Sequence, residues 1–95
     1  MAAREVTFHQ EEGAIVSEAI VAEGSEVAVR IEYEAPGLTS IERSITGDSF
    51  IYVATVMNNL DKRQRIEFNV SGVVPGQQLR LRFKDDAKPA KIYTL

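Results

Sequence analysis

The sequence predicts an all-β protein with the architecture of an antiparallel β-sandwich. Apolar and polar side chains alternate along most of the chain, and turn residues recur about every 8–12 residues. No strand–helix–strand unit of a parallel sheet is visible. The 95 residues, 44% hydrophobic and 26% charged, predict a single globular domain over residues 1–95.

The first strands follow from alternation and from the turn residues that end it. Glu5–Gln10 is the first, because Val6 and Phe8 fall on one side. Glu26–Ala35 alternates most regularly, with apolar side chains on one face and charged ones on the other, the pattern of a half-buried strand. Pro36–Gly37 ends it, because proline presets a turn and glycine accepts a positive φ.

Two segments fit both a strand and a helix. In residues 11–23 the apolar side chains recur at helical spacing, and no proline interrupts them. Residues 38–46 show the same ambiguity but are rich in Ser, Thr and Ile, types that suit strands. Because turn signals recur at strand-like intervals along the whole chain, we interpret both segments as strands.

Residues 49–57 differ from the other segments because apolar side chains occupy both parities. We expect either a central strand covered on both sides or a strand that uses one face for association. A turn is predicted after it, at Asn58–Asn59 and Asp61–Lys62.

Three later segments alternate again and predict strands at residues 63–70, 78–84 and 90–95. The total of about seven or eight short strands predicts a β-sandwich of immunoglobulin-like size. A small β-barrel, or an α+β fold with one short helix in residues 11–23, is the alternative. The chain has no cysteine and no tryptophan, so the Cys…Trp…Cys pattern of true immunoglobulin domains is absent.

Charge is unevenly distributed along the chain. Residues 1–60 carry three basic and ten acidic side chains, whereas residues 61–95 carry eight basic and four acidic ones. If the acidic and basic strands are neighbours they form cross-strand pairs, and if they lie in different sheets the molecule has an acidic and a basic face. The candidate basic face consists of Arg65, Arg80, Arg82 and Lys84. The pI near 5.1 and the scarcity of aromatic residues among these bases argue against nucleic acid as the partner.

Few residues offer chemistry for catalysis or for a bound ion. The chain has no cysteine, and its one histidine, His9, occupies a polar position of the first strand, where a solvated side chain is expected. No G-x-S-x-G and no phosphate-binding glycine motif occurs. Asp85–Asp86 is interpreted as a turn rather than as part of a Ca²⁺ site. The sequence therefore predicts no enzyme, no cofactor and no metal site.

We therefore expect a non-enzymatic protein-interaction or accessory module, whose partner is another protein or a second copy in a homodimer. The candidate interface is one face of the apolar strand and consists of Ile51, Val53, Thr55 and Met57. An open sheet edge at residues 90–95, which would capture an extended peptide, is a further route to association. A small ligand- or carbohydrate-binding module is the alternative function.

The sequence also bears on localisation. It shows no secretory signal, and no apolar run approaches the roughly 18 residues that span a bilayer. We therefore expect no membrane span and, by default, the cytoplasm. A domain processed from an exported precursor would look the same and would be extracytoplasmic.

Overall fold

The computed structural model describes residues 3–58, 64–85 and 87–95, and every regular element within them is a β-strand. The ten strands are β1 (Arg4–Val6), β2 (Phe8–Glu11), β3 (Ala14–Ser17), β4 (Ile20–Val21), β5 (Glu26–Tyr33), β6 (Gly37–Ser44), β7 (Ile51–Asn58), β8 (Gln64–Ser71), β9 (Gln78–Lys84) and β10 (Lys91–Thr94). The prediction of an all-β fold is confirmed. No helix long and apolar enough to cross a membrane is found in the ranges just given.

Both ambiguous segments are β structure rather than helix. Within residues 11–23, β2 and β3 form a hairpin joined by Glu12 and Gly13, whose φ angles are 47° and 79°. Two successive residues with positive φ make a type I′ turn, whose twist matches that of the flanking strands. Most of residues 38–46 lies in β6. The local turn chemistry therefore outweighs the helical spacing of the apolar residues.

The strands form two antiparallel sheets, which make up the two layers of a sandwich. The first sheet has the order β1-β10-β5-β8, and the second has the order β2-β3-β9-β6-β7. β4 pairs with β9 beyond the end of β3. The pairs nest from the chain ends inward, β1 with β10, β3 with β9, β5 with β8, and β6 with β7. This nesting is the pairing scheme of a jelly roll.

The predicted β-sandwich is thus confirmed, whereas an immunoglobulin-like relationship is not. Immunoglobulin constant-type domains divide seven strands into sheets of four and three. Here the sheets contain four and six strands, and they are not closed into a barrel. The size alone agrees with the immunoglobulin comparison.

The core lies between the two sheets and uses the side chains that alternation places inward. β5 and β9 contribute Val27, Val29, Ile31, Tyr33, Leu79, Leu81 and Phe83, all buried. Burying an aliphatic or aromatic side chain of this size stabilises the fold by about 1.5–3 kcal/mol. These two central strands therefore hold the layers together.

The two sides of the sandwich are closed differently. The predicted first strand, residues 5–10, is split, because β1 pairs in the first sheet and the chain after Thr7 continues as β2 in the second sheet. A strand that changes sheets in this way joins the layers on its side of the sandwich. On the other side β7 and β8 end their own sheets, and no pairing between them is found among the described residues.

Two expectations about the position of strands need correction. Of the two alternatives for residues 49–57, the central strand is wrong, because among the described strands β7 pairs only with β6 and forms one edge of the second sheet. β10 is not an open edge, because β1 pairs with its other side and covers it. The turn predicted at residues 58–62 lies outside the described residues except for Asn58, which is the last residue of β7.

Candidate functional site

The four edge strands of the two described sheets differ in their protection against pairing with another chain. β1 has three residues, and β2 has four, most of them polar or charged. β8 has eight residues but carries Arg65 and Glu67. β7 also has eight residues and carries no charge. Because short length and charged side chains are what protect a sheet edge, β7 is the least protected of the four.

β7 exposes large apolar side chains at both of its ends. Ile51 is 63% exposed, Tyr52 62% and Met57 54%. Leu38, which pairs with Met57 across β6 and β7, is also exposed. We call these four residues the β7 strip. Single exposed apolar residues are normal on a protein surface, whereas here several of them lie along one sheet edge.

A β-bulge determines which side chains of β7 point away from the core. Ile41 pairs with Ala54 but Glu42 pairs with Tyr52, so Val53 is an extra residue in β7. The extra residue reverses the alternation of side chains. Tyr52, which strict alternation places inward, therefore lies opposite Glu42 on the outer face of the sheet.

The bulge also divides the candidate interface predicted from the sequence. Thr55 and Met57 pair with Ser40 and Leu38 on the outer face. Val53, by contrast, packs against the core. Strict alternation missed Tyr52 because no glycine or proline in residues 51–58 marks the bulge. The four predicted residues therefore do not form one surface.

The outer face beside β7 carries charged side chains that neutralise one another around Glu42. Arg82 Nε lies 2.7 Å from one carboxylate oxygen of Glu42, and Lys84 Nζ lies 3.5 Å from the other. The hydrogen bond from Arg82 holds the pKa of Glu42 below its ordinary value, against the opposing effect of burial, and the charges of Arg82 and Lys84 add to the lowering. Glu42 is consequently an ionised carboxylate at neutral pH.

Two aromatic rings lie next to this charged group. The guanidinium carbon of Arg82 is 4.1 Å from the centroid of the Phe50 ring, a cation–π contact. Tyr52 lies opposite Glu42, and its hydroxyl is 2.9 Å from Thr55 Oγ1. The outer face therefore combines aromatic, apolar and charged groups within a few residues of the β7 edge.

The candidate basic face is not a single surface. Arg80, Arg82 and Lys84 belong to β9 in the second sheet, whereas Arg65 belongs to β8 in the first. Arg65 Nε lies 3.5 Å from the carboxylate of Glu32, which is buried in the neighbouring β5. The acidic strand β5 and the basic strand β9 do lie in different sheets, but Glu32 pairs with Arg65 in the first sheet, and Glu42 pairs with Arg82 and Lys84 in the second. The structure therefore places Arg65 in a different sheet from the other three residues of the candidate basic face.

The other chemical candidates remain dispersed. His9 is exposed on β2 and contacts the carboxylate of Glu11. Among residues 3–58, 64–85 and 87–95, no three His, Cys, Asp or Glu side chains gather as ligands of a metal would. Asp85 accepts a hydrogen bond from Ser40, and its φ of 81° marks a tight turn. Its predicted neighbour in that turn, Asp86, lies outside the described residues.

These features define the class of the molecule as a small jelly-roll β-sandwich with one unprotected sheet edge. Comparison of the chain with models of known protein families, with curated proteins and with solved structures finds no match. Because one fold hosts many functions, the function has to be argued from the surface itself.

Proposed function

We propose that the protein is a non-enzymatic interaction module that binds another polypeptide at the β7 edge, a second copy of itself being the first partner to test. One observation carries the proposal: β7 is a long edge strand without a charged residue, flanked by the exposed apolar side chains of the β7 strip. An added strand would use main-chain hydrogen bonds for affinity and the β7 strip for specificity.

The composition of the edge suits a symmetric homodimer. In an antiparallel pair of β7 strands, the Tyr52 end of one copy meets the Met57 end of the other on the outer face, so apolar side chains lie against apolar side chains, while Ile51 projects to the opposite face. The edge brings no like charges together, because residues 51–58 are uncharged. Such a dimer gains its stability from burial of apolar surface and is insensitive to salt.

Sedimentation equilibrium at low and high salt tests the proposal. We expect a dimer of similar affinity at both salt concentrations for the wild type. Met57→Lys places a charge at the edge and is expected to give a monomer. The matched control is Val74→Lys, which introduces the same charge at an apolar position that is 59% exposed and lies between β8 and β9.

Each outcome has a distinct meaning. Loss of the dimer in Met57→Lys but not in Val74→Lys supports the β7 edge. A dimer that dissociates in high salt would instead assign association to the charged faces. A wild type that stays monomeric up to about 1 mM would remove self-association, since that concentration corresponds to only about −4.1 kcal/mol of binding free energy.

The exposure of the Tyr52 ring favours one second candidate function, that of a small carbohydrate-binding module. Sugar sites pair an aromatic ring with polar groups that orient the ligand, and Tyr52 lies beside Glu42 and Arg82 on the outer face. A glycan array with the wild type and Tyr52→Ala tests it. Binding that is lost in Tyr52→Ala would support this function, and an array without signal would remove it.

A further inference from the structure

A recess lies away from the β7 edge, on the side of the sandwich where β1 forms the edge of the first sheet. It is a cleft of about 420 Å³ between the strands β1, β5 and β10 of the first sheet and the β4 segment. Its apolar lining includes Val6, Ile20 and Val27, all buried in the core. Its volume lies within the range of about 300–1,000 Å³ that is usual for ligand pockets.

Backbone hydrogen bonds hold the walls of this cleft. The Glu18 N–H donates to the Thr7 carbonyl at 2.9 Å, which ties the loop before β4 to the crossing between β1 and β2. The Leu95 N–H donates to the Ala28 carbonyl at 3.0 Å, which ties the end of the chain to β5. The cleft is therefore formed by ordered backbone rather than by side chains alone.

Acidic side chains surround the cleft. Four glutamates and one arginine line it: Arg4, Glu5, Glu18, Glu23 and Glu26. All five are exposed, and none of them makes an ion pair with another residue in the described ranges. Glu32 and Glu42, in contrast, are neutralised by arginines. Part of the acidic excess of residues 1–60 is thus concentrated around one apolar recess, whose four glutamates outnumber the one arginine of the lining.

The charge and the shape of the cleft indicate which class of ligand it suits. A net negative rim repels nucleic acid and other anions and attracts cations. A metal ion is excluded, because no three carboxylates within the described residues converge to ligate one. The apolar lining favours an occupant with an apolar body as well as positive charge. β1 is also the end strand of the first sheet, and although its three residues are too few to pair with a long strand, they can pair with a short extended segment of a polypeptide.

We propose that this cleft binds a cationic peptide segment. One apolar side chain of the peptide lies inside the cleft, and the lysines or arginines that flank it form ion pairs with the glutamates. The segment belongs to a partner protein and lies along β1. This site is separate from the β7 edge, so the two proposals stand or fall independently.

The test is an NMR titration at low salt with an acetylated and amidated peptide of sequence Lys-Leu-Lys-Leu-Lys. We expect the peptide to shift the amide signals of Val6, Ile20 and Val27 together with those of the neighbouring glutamates. The double variant Glu18→Gln/Glu26→Gln is expected to bind about tenfold more weakly, because each exposed charge pair contributes roughly twofold to fivefold. The control double variant Glu12→Gln/Glu67→Gln removes two exposed glutamates outside the cleft and should change the affinity less than about twofold.

Two comparison ligands make the result decisive. The peptide Lys-Ser-Lys-Ser-Lys carries the same charge without apolar side chains, and spermidine is a polycation without a peptide backbone. Both are expected to bind more weakly than the leucine peptide. Equal binding of either one, an equal loss in both double variants, or shifts spread evenly over the surface would each overturn the proposal, as would the absence of any shift at about 1 mM peptide.

Discussion

β5 and β7 have the same length and a similar share of apolar residues, yet they occupy opposite environments. β5 lies between β10 and β8, and its large apolar side chains are buried. Among the described strands β7 has a neighbour on one side only, and it exposes Ile51, Tyr52 and Met57. The charged residues belong to the central strand, where Glu32 is buried and paired with Arg65, and the edge strand has none.

This difference shows what the hydropathy pattern of a strand reveals about its position in a sheet. Alternation reveals which of the two faces of a strand is covered, because side chains point alternately to the two faces. It does not reveal whether another strand lies beside it, because lateral pairing uses backbone groups that every residue except proline carries. A strand that is apolar on both faces is therefore equally compatible with a central position and with an edge used for binding.

The largest expected contrast comes from removing the same side chain from each strand. Ile31→Ala empties a fully buried site in β5 and should lower the free energy of unfolding by about 2–5 kcal/mol. Ile51→Ala acts on an exposed side chain in β7 and should change it by less than about 0.5 kcal/mol. Urea denaturation measures both. Equal losses would mean that β7 is covered in solution, for example by a second copy.

The pH dependence of stability distinguishes Tyr33, which is buried in β5, from Tyr52, which is exposed in β7. Burial raises the pKa of Tyr33, and the side chain of Thr39 offsets only part of the rise. The unfolded chain ionises this tyrosine at about pH 10, before the folded protein does. Stability from Tyr33 is therefore present below that pH and is lost as the pH rises further, by up to about 1.4 kcal/mol per pH unit.

Unfolding measured between pH 9 and pH 11 tests this contrast. Tyr33→Phe should lose stability less steeply than the wild type. Tyr52→Phe, which alters the exposed tyrosine of β7, should follow the wild-type profile. A Tyr33→Phe profile identical to that of the wild type would show that the buried hydroxyl is not the group responsible.

The smallest expected effect concerns the charged group beside β7. Glu42→Gln removes the ion pair with Arg82 and should lower the free energy of unfolding by about 1 kcal/mol at pH 7. Because the pKa of Glu42 is lowered by folding, this stability is present above about pH 4 and is lost as the pH falls through the folded-state pKa. The difference from the wild type should therefore disappear in acid.

The matched control for this measurement is Glu67→Gln, an exposed acid of β8 that makes no ion pair with a described residue. It should change stability by less than about 0.5 kcal/mol at either pH. A Glu67→Gln effect as large as that of Glu42→Gln would mean that net charge, rather than the Arg82 contact, accounts for the loss.

Much of the fold was predictable because its signals are local. The inward sides of β5 and β9 follow from period-two alternation, and the end of β5 ahead of Pro36 follows from residue chemistry. The hairpin turn at Glu12–Gly13 left a weaker local signal, its glycine, and the helical spacing around it obscured that signal. The candidate site was predicted less well. Residues 49–57 were recognised as unusual, but the bulge at Val53 and the exposure of Tyr52 were not.

The acidic cleft was missed for a related reason. Its glutamates are scattered from Glu5 to Glu26, and only the folding of β1, β4, β5 and β10 brings them to one recess. Nothing in their spacing along the chain indicates that they face a shared apolar lining. Its detection required the pairing of the first strand with the last one.

The amino-acid pattern alone determined that this chain is an all-β domain with a two-layer core, because alternation and turn chemistry act within a few residues. Tertiary structure decided which strands became edges, which charges were neutralised and where a recess with a net acidic lining formed. Those properties depend on strand pairing between residues far apart in the chain, as between β1 and β10. The backbone hydrogen bonds that make such pairs carry almost no residue-specific information.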